Sequence, residues 1–167
     1  MATPRLQVSR ASAGFLRRGH PWLRPDRFTR GLERLQHGQV VNLVDDQGRA
    51  LASALIDREH PEICARVFHR RPDRNFDPTA ALARAWQRRA ALHADPDTDA
   101  YRIVHGEADF LPGARLERYG DCLVLLLQAP CLRPWRDSLA AASQALLPQA
   151  TLVLREQYND LRQREVF

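Results

Sequence analysis

The stretch Gly106-Glu107-Ala108-Asp109-Phe110-Leu111-Pro112-Gly113 decides how the second half of the chain is organised. Its two acids lie in a turn that Pro112 and Gly113 close. A short strand over residues 113–118, a Tyr-Gly-Asp turn and an apolar strand over residues 122–128 follow, which predicts a hairpin. Acids in such a turn are most simply solvated turn formers. Alternatively, Glu107 and Asp109 share one face of an extended segment and form an acid–base pair or hold Mg²⁺.

The residues around this turn predict a small α+β arrangement. A strand over residues 101–105 leads into it, and Asp77-Pro78 provides the N-cap and first residue of a helix that ends at residues 95–97. A second helix follows, with its apolar stripe at Trp135, Leu139, Ala142 and Leu146, and a last strand covers residues 151–154. The predicted order is strand, strand, strand, helix, strand.

The first half of the chain instead predicts a small barrel. Strands are expected over residues 6–9, 38–44, 50–56 and 62–69, with a helical segment at residues 11–18 and a hairpin turn at residues 45–48. Pro72 and a run of charges break the pattern, so we place one domain at residues 1–72 and a second at residues 73–167. The fold class is therefore mixed α+β.

Positive charge is concentrated in the first half of the chain. Residues 1–76 contain 14 Arg and 8 acidic residues, whereas residues 77–167 contain 11 Arg and 12 acidic residues. Every one of the 25 basic residues is Arg, which codon bias explains most simply. A basic excess confined to one segment suggests a phosphate-binding face, and the planar guanidinium group suits RNA.

The segment Arg17-Arg18-Gly19-His20-Pro21-Trp22 is the strongest candidate for that face. Gly19 and Pro21 predict a turn that presents Arg and His to a phosphate backbone. Trp22 is interpreted as a buried side chain that fills a small core, with its neighbours exposed. Seven residues are predicted to contact RNA, the last three as weaker candidates: Arg17, Arg18, His20, Arg24, Arg66, Arg70 and Arg71.

These motifs together resemble the RlmI-type bacterial methyltransferases of large-subunit ribosomal RNA. Arg-x-Gly-His-Pro-Trp resembles the opening of the family's PUA domain, although Arg24 stands near the place of a usual aromatic residue. Gly-Glu-Ala-Asp-x-Leu-Pro-Gly resembles its central connector. Arg-Gln-Arg-Glu-Val-Phe at residues 162–167 resembles the segment that leads into the methyltransferase domain, with Val166 where Gly is usual.

The resemblance implies a PUA-like pseudo-barrel followed by an α+β connector. It also implies ribosomal RNA as the partner, cytosine-C5 methylation as the reaction, and S-adenosylmethionine as a cofactor of a methyltransferase domain or subunit only. We find no Gly-rich strand-to-helix turn for that cofactor and assign no catalytic residue. The chain is therefore expected to be an N-terminal portion or the product of a truncated gene. A protein-interaction module with a basic face is the remaining alternative.

Two further expectations come from composition. Cys64, Cys122 and Cys131 are odd in number and widely spaced, which predicts neither a disulfide framework nor a zinc site. Residues 1–10 lack the apolar stretch of a secretory signal, and no apolar run is long enough to span a membrane. We therefore expect a cytoplasmic protein that does not bind membranes, with its oligomeric state open.

Overall fold

The first half of the chain folds around short strands in which apolar residues alternate or run together. The computed structural model describes residues 3–158 and divides them into two units, residues 3–76 and residues 77–158. The elements of the first unit are β1 (Arg5–Gln7), α1 (Arg10–Arg17), β2 (Trp22–Leu23), β3 (Val40–Val44), β4 (Ala50–Ile56) and β5 (Ala65–His69). The predicted strands and the helical segment are thus confirmed.

These strands form one five-stranded sheet in the order β1-β3-β4-β5-β2. β1 runs parallel to β3, and the other neighbours are antiparallel. Leu6, Leu43 and Ile56 are fully buried in the core of this unit. Helix α1 begins after Ser9, whose side chain accepts a hydrogen bond of 3.1 Å from the backbone N–H of Ser12. This sheet and its helix match the predicted pseudo-barrel class.

The second unit contains a four-stranded sheet and three α-helices. Its elements are α2 (Pro78–Gln87), α3 (Ala90–Ala94), β6 (Ala100–His105), β7 (Ala114–Tyr119), β8 (Cys122–Leu127), α4 (Arg136–Leu146) and β9 (Thr151–Glu156). The strand order is β6-β7-β8-β9, and β9 runs parallel to β8 after the α4 crossover. The order predicted from sequence, three strands, a helix and a strand, is confirmed. As predicted, Asp77 caps α2, accepting a hydrogen bond of 3.0 Å from the N–H of Ala80.

One helix boundary was wrongly predicted. A single helix was expected from Pro78 to residues 95–97, but α2 ends at Gln87 and α3 begins at Ala90. Between them, the side chains of Arg88 and Arg89 both reach Asp109, with nitrogen–oxygen distances of 2.9 and 2.7 Å. The break in the helix thus occurs where two arginines bind a residue about 20 positions away in sequence. Helical periodicity carries no information about such a distant partner.

The acidic stretch that opens the hairpin is a 3₁₀ turn over Gly106–Asp109 followed by a tight loop. Phe110 has φ +59° and Gly113 has φ +73°, both in the left-handed region. At Gly113 a Cβ atom would lie 2.2 Å from the Cβ of Ala129, so only glycine allows this close approach. The loop therefore packs directly against the end of β8.

Some sequence expectations fall outside these observations. The segment at residues 162–167 that resembles the family's linker lies outside the described residues. Within residues 3–158, no helix combines the length and apolar character that crossing a bilayer requires.

Candidate nucleic-acid interface

The turn after α1 brings the candidate residues to the surface of the first unit. Gly19 has φ +92°, and a Cβ atom there would lie 2.9 Å from a terminal nitrogen of Arg70. The guanidinium group of Arg70 therefore lies directly beside the turn. β2 follows and pairs with β5, with Trp22 opposite Arg66 and Leu23 opposite Ala65. The turn is held between a helix and an edge strand.

The interpretation of Trp22 as a buried core residue is wrong. Its side chain is 39% exposed, whereas the adjacent Leu23 is 2% exposed. Successive side chains of a strand point to opposite faces, and here the smaller residue takes the inner face. Part of the Trp22 side chain therefore lies at the surface.

Trp22 is the end of a row of three aromatic side chains, Phe15, His20 and Trp22. The His20 ring lies edge-on to Phe15, with centroids 6.2 Å apart, and edge-on to Trp22, with centroids 6.0 Å apart. Its Nδ1 atom lies 3.0 Å from the carbonyl oxygen of Trp22, which fixes the orientation of the ring. Phe15 is 53% exposed, and the guanidinium carbon of Arg18 lies 4.8 Å from the centroid of its ring. Aromatic and guanidinium planes at one surface are typical of nucleic-acid contacts.

These side chains line a groove of about 480 Å³, which we call the Trp22 groove. Its lining includes Phe15, His20, Trp22, Arg24 and Asp26. Arg24 also forms an ion pair of 3.0 Å with Glu62, in which both side chains are largely exposed. Such exposed pairs are weak, so the pair is readily exchanged for a phosphate group.

A second groove, of about 540 Å³, adjoins the first, and we call it the Phe28 groove. Ala11 and Asp26 contribute to both grooves. Phe28 is 52% exposed, and the guanidinium carbon of Arg27 lies 4.7 Å from its ring centroid. Sequence reasoning missed Phe15 and Phe28. The signal that could have found them is an aromatic residue within three positions of an arginine in the basic segment.

Arg17 serves the fold as well as the surface. Its side chain is about half exposed, and one terminal nitrogen lies 2.6 Å from an oxygen of the buried Asp45 carboxylate. Burial tends to raise the pKa of Asp45, but hydrogen bonds from the backbone and side chain of Arg49 and the backbone of Gln47 outweigh it. The pKa of Asp45 is lowered from 3.8 to about 2. Arg17 therefore helps to hold the hairpin turn between β3 and β4.

The assignment of Arg66 to the RNA-contacting set is corrected by its burial. The Arg66 side chain is 7% exposed, and its Nε atom lies 2.9 Å from an oxygen of Asp57, which is fully buried. Asp57 also accepts a hydrogen bond of 3.2 Å from the backbone N–H of His60. Arg66 is paired with Trp22 and lies on the face of β5 opposite to the core residues Ala65 and Val67, but its guanidinium group is buried there and its charge is neutralised by Asp57. Arg70 and Arg71 follow at the exposed end of β5.

The acidic turn of the second unit is held in place by hydrogen bonds to Asp109. Asp109 is 3% exposed and accepts hydrogen bonds from Arg88, from Arg89 and from the backbone N–H of His105, the last at 2.7 Å. Burial tends to raise the pKa of Asp109, but these donors outweigh it and lower the pKa. The alternative of a metal pair assumed an extended segment, whereas Glu107 and Asp109 lie in a 3₁₀ turn. Within residues 3–158, no group of three or more His, Cys, Asp or Glu side chains is arranged to hold a metal ion.

Comparison with known families identifies the unit that carries the two grooves. Residues 6–70 match the model of a PUA-like domain. These residues form a PUA-like domain. Its bounds include α1, β2 and both grooves, so the Trp22 groove and the Phe28 groove lie within the PUA-like domain.

Beyond the PUA-like domain, the resemblance to the RlmI-type family is confirmed over most of the chain. The chain is 33% identical over 151 residues to ribosomal RNA large subunit methyltransferase I of Cronobacter sakazakii. It is also 33% identical over 158 residues to a ribosomal RNA large subunit methyltransferase of Deinococcus radiodurans. These matches cover 89% and 90% of this chain. The chain spans 38% of the length of each relative.

The fold of the PUA-like domain and the following unit also occurs in a solved structure. A proposed SAM-dependent methyltransferase from Streptococcus mutans superposes with a TM-score of 0.76 at 20% identity. The match covers 93% of this chain and 41% of that protein. At this identity the likeness concerns the fold.

Proposed function

We propose that the chain is the RNA-binding region of a protein related to the large-subunit ribosomal RNA methyltransferases. It positions ribosomal RNA for a methyltransferase domain, in the same polypeptide or in a separate subunit, that transfers a methyl group from S-adenosylmethionine to C5 of a cytosine. The observation that carries the proposal is the row of exposed aromatic and arginine side chains on the PUA-like domain. Net positive charge in the same half of the chain supports it, because phosphate contacts dominate RNA affinity.

Within this interface, Arg18, His20, Arg24 and Arg70 are the favoured phosphate contacts. Arg18 and Arg24 flank the Trp22 groove, and Arg70 lies beside the turn at Gly19. Arg71 remains a candidate at the exposed end of β5. Arg17 contributes a half-exposed guanidinium group that is shared with Asp45. Such contacts orient the RNA and carry little sequence information.

The methyl donor does not fit the described residues. A nucleotide-like cofactor is usually held at a glycine-rich turn between a strand and a helix. After β8, Ala129, Cys131 and Leu132 are at most 1% exposed, and Ala129 packs against Gly113. This turn is filled by the chain itself. We therefore assign no step of the methyl transfer to these residues and expect calorimetry to detect no binding of S-adenosylmethionine to the chain.

A salt titration tests the RNA-binding proposal. The affinity of the chain for a structured ribosomal RNA fragment should fall steeply with salt, because each neutralised phosphate releases a counterion. Arg18→Ala should weaken binding to different RNA sequences alike and flatten the slope of log K against log salt by about one unit. Arg18 is preferred to Arg17 for this test because Arg17 also supports the fold through Asp45.

Arg84→Ala is the matched control. Arg84 is an exposed arginine on α2, outside the PUA-like domain, and its replacement removes the same charge. The slope of log K against log salt for the Arg84→Ala variant should equal that of the wild type. Equal losses for Arg18→Ala and Arg84→Ala would mean that net charge, rather than this interface, determines binding, and the proposal would then be rejected.

A further inference from the structure

Two aromatic grooves lie next to each other on the PUA-like domain, and their chemistry specifies the kind of RNA that fits. Each groove contains a half-exposed phenyl ring with a guanidinium group stacked on one face. Each has a volume of about 500 Å³, within the range of sites that hold small aromatic ligands. Phe15 and Phe28 are 53% and 52% exposed, which is unusual for two such side chains in one small region.

The wall between the grooves carries a negative charge. Asp26 lines both, and its Oδ1 atom accepts hydrogen bonds of 2.9 Å from the N–H of Phe28 and 3.3 Å from the hydroxyl of Thr29. A hydrogen bond with the Ser9 side chain is the largest contribution that lowers the pKa of Asp26, so the carboxylate is anionic at neutral pH. A phosphate group is repelled at this wall. An amino group of a base or a ribose hydroxyl can instead donate a hydrogen bond to it.

Arginines surround the wall on both sides. Arg18 and Arg24 lie at the Trp22 groove, and Arg10, Arg27 and Arg30 lie at the Phe28 groove. Each groove therefore combines an exposed aromatic ring with arginine side chains that can bind anions. A nucleotide strand has the complementary arrangement, with phosphates along one edge and base faces along the other.

We propose that the Trp22 groove and the Phe28 groove each take one base of a single-stranded RNA segment, so that the domain binds at least two consecutive unpaired nucleotides. The inference rests on the proposed RNA-binding function and specifies its substrate class. In a duplex the bases are stacked on one another, and their faces are not available to aromatic side chains. Loops, bulges and single-stranded ends offer such bases.

The test compares a short single-stranded RNA with the duplex formed from it and its complement, at one salt concentration, by fluorescence anisotropy. Base stacking on an aromatic side chain contributes about 1–3 kcal/mol per base, so Phe15→Leu and Phe28→Leu should each weaken single-strand binding at least about fivefold. The double variant should show about the product of the two effects. Affinity for the duplex should change less than about twofold, since no base face is contacted there.

Tyr119→Leu provides the matched control. Tyr119 is 52% exposed, as Phe28 is, but lies on β7 outside the PUA-like domain. It should leave both affinities unchanged. A single-stranded RNA with abasic sites at two consecutive positions should bind the wild type as weakly as the intact strand binds the double variant.

The outcomes separate this inference from the proposed function. Tighter or equal binding of the duplex, with no effect of Phe15→Leu or Phe28→Leu, would overturn the inference and leave RNA binding intact. Failure of the wild type to bind either RNA would overturn both. Equal competition by polyglutamate of similar charge would also overturn both, because charge alone would then account for binding.

Discussion

Replacing Arg66 with methionine should destabilise the PUA-like domain rather than remove a phosphate contact. Arg66 and Asp57 form an ion pair of 2.9 Å with side-chain exposures of 7% and 0%. Removing one partner of a buried pair leaves an uncompensated charge and costs about 3–5 kcal/mol. This is a large part of the ~5–15 kcal/mol that stabilises a typical domain. The double variant Asp57→Leu with Arg66→Met should recover most of the loss, because both charges are then absent.

Urea unfolding followed by the fluorescence of Trp22 measures this effect. Trp22 lies opposite Arg66 in the β2–β5 pair, and replacing Trp86 and Trp135 with phenylalanine leaves it as the reporter. With a urea dependence of about 1–3 kcal/mol per molar, the midpoint should fall by about 1–5 M, or the domain should unfold without urea. Arg24→Ala, which breaks an exposed ion pair, should cost about 0–1 kcal/mol.

The result that would refute this reasoning is equally specific. If Arg66→Met keeps the stability of the wild type and flattens the salt slope of RNA binding by about one unit, Arg66 contacts phosphate and the buried pair is not important. A double variant as unstable as the single would show that packing, rather than the charge left on Asp57, causes the loss.

Three other perturbations have clear expectations. Gly113→Ala should lower the free energy of unfolding by roughly 2–5 kcal/mol in thermal unfolding, because its Cβ atom would meet the Cβ of Ala129 at 2.2 Å. Gly120→Ala, with φ +55° and nothing within 4 Å, should lower it by about 1–2 kcal/mol, and equal losses would exclude the close approach as the cause. Because the pKa of Asp45 is lowered, its carboxylate stabilises the fold above pH 3.8, and this contribution is lost as the pH falls through about 2. Asp45→Asn should therefore flatten that part of an acid-unfolding curve, and an unchanged curve would contradict the role of Asp45. Trp22→Ala should cost less than the ~3–5 kcal/mol of a buried tryptophan, and a loss in that range by urea unfolding would show that Trp22 is part of the core.

The features predicted correctly from sequence are those with local causes. The N-cap at Asp77 and the proline after it need only neighbouring residues to determine where α2 begins. The turn closed by Pro112 and Gly113 likewise follows from local backbone preferences. Strands recognised as short apolar runs next to turn residues, such as β3 and β4, depend on residues within a few positions of each other.

The wrong predictions depend on partners that are distant in sequence. Arg18 and Arg66 are both arginines in a basic half, and only the buried carboxylate of Asp57 beside Arg66 distinguishes the buried arginine from the exposed one. The break after α2 coincides with the approach of Arg88 and Arg89 to Asp109, about 20 residues away. Whether Trp22 or Leu23 enters the core depends on which face β2 presents when it pairs with β5. None of these long-range choices is encoded in periodicity or composition.

The pairing of β2 with β5 has a consequence for the order of folding during synthesis. Except for Asp46, the residues of both grooves lie within the first 30 positions, yet β2 is held by residues 65 and 66. Closing a loop of this length precedes the contacts that reward it, so pairing is a late event. A ribosome that has released only the first half of this domain therefore exposes the arginines and aromatic rings without their final geometry. The nascent chain can bind RNA only after β5 has emerged from the ribosome. A peptide that contains α1 and β2 alone would therefore not bind RNA.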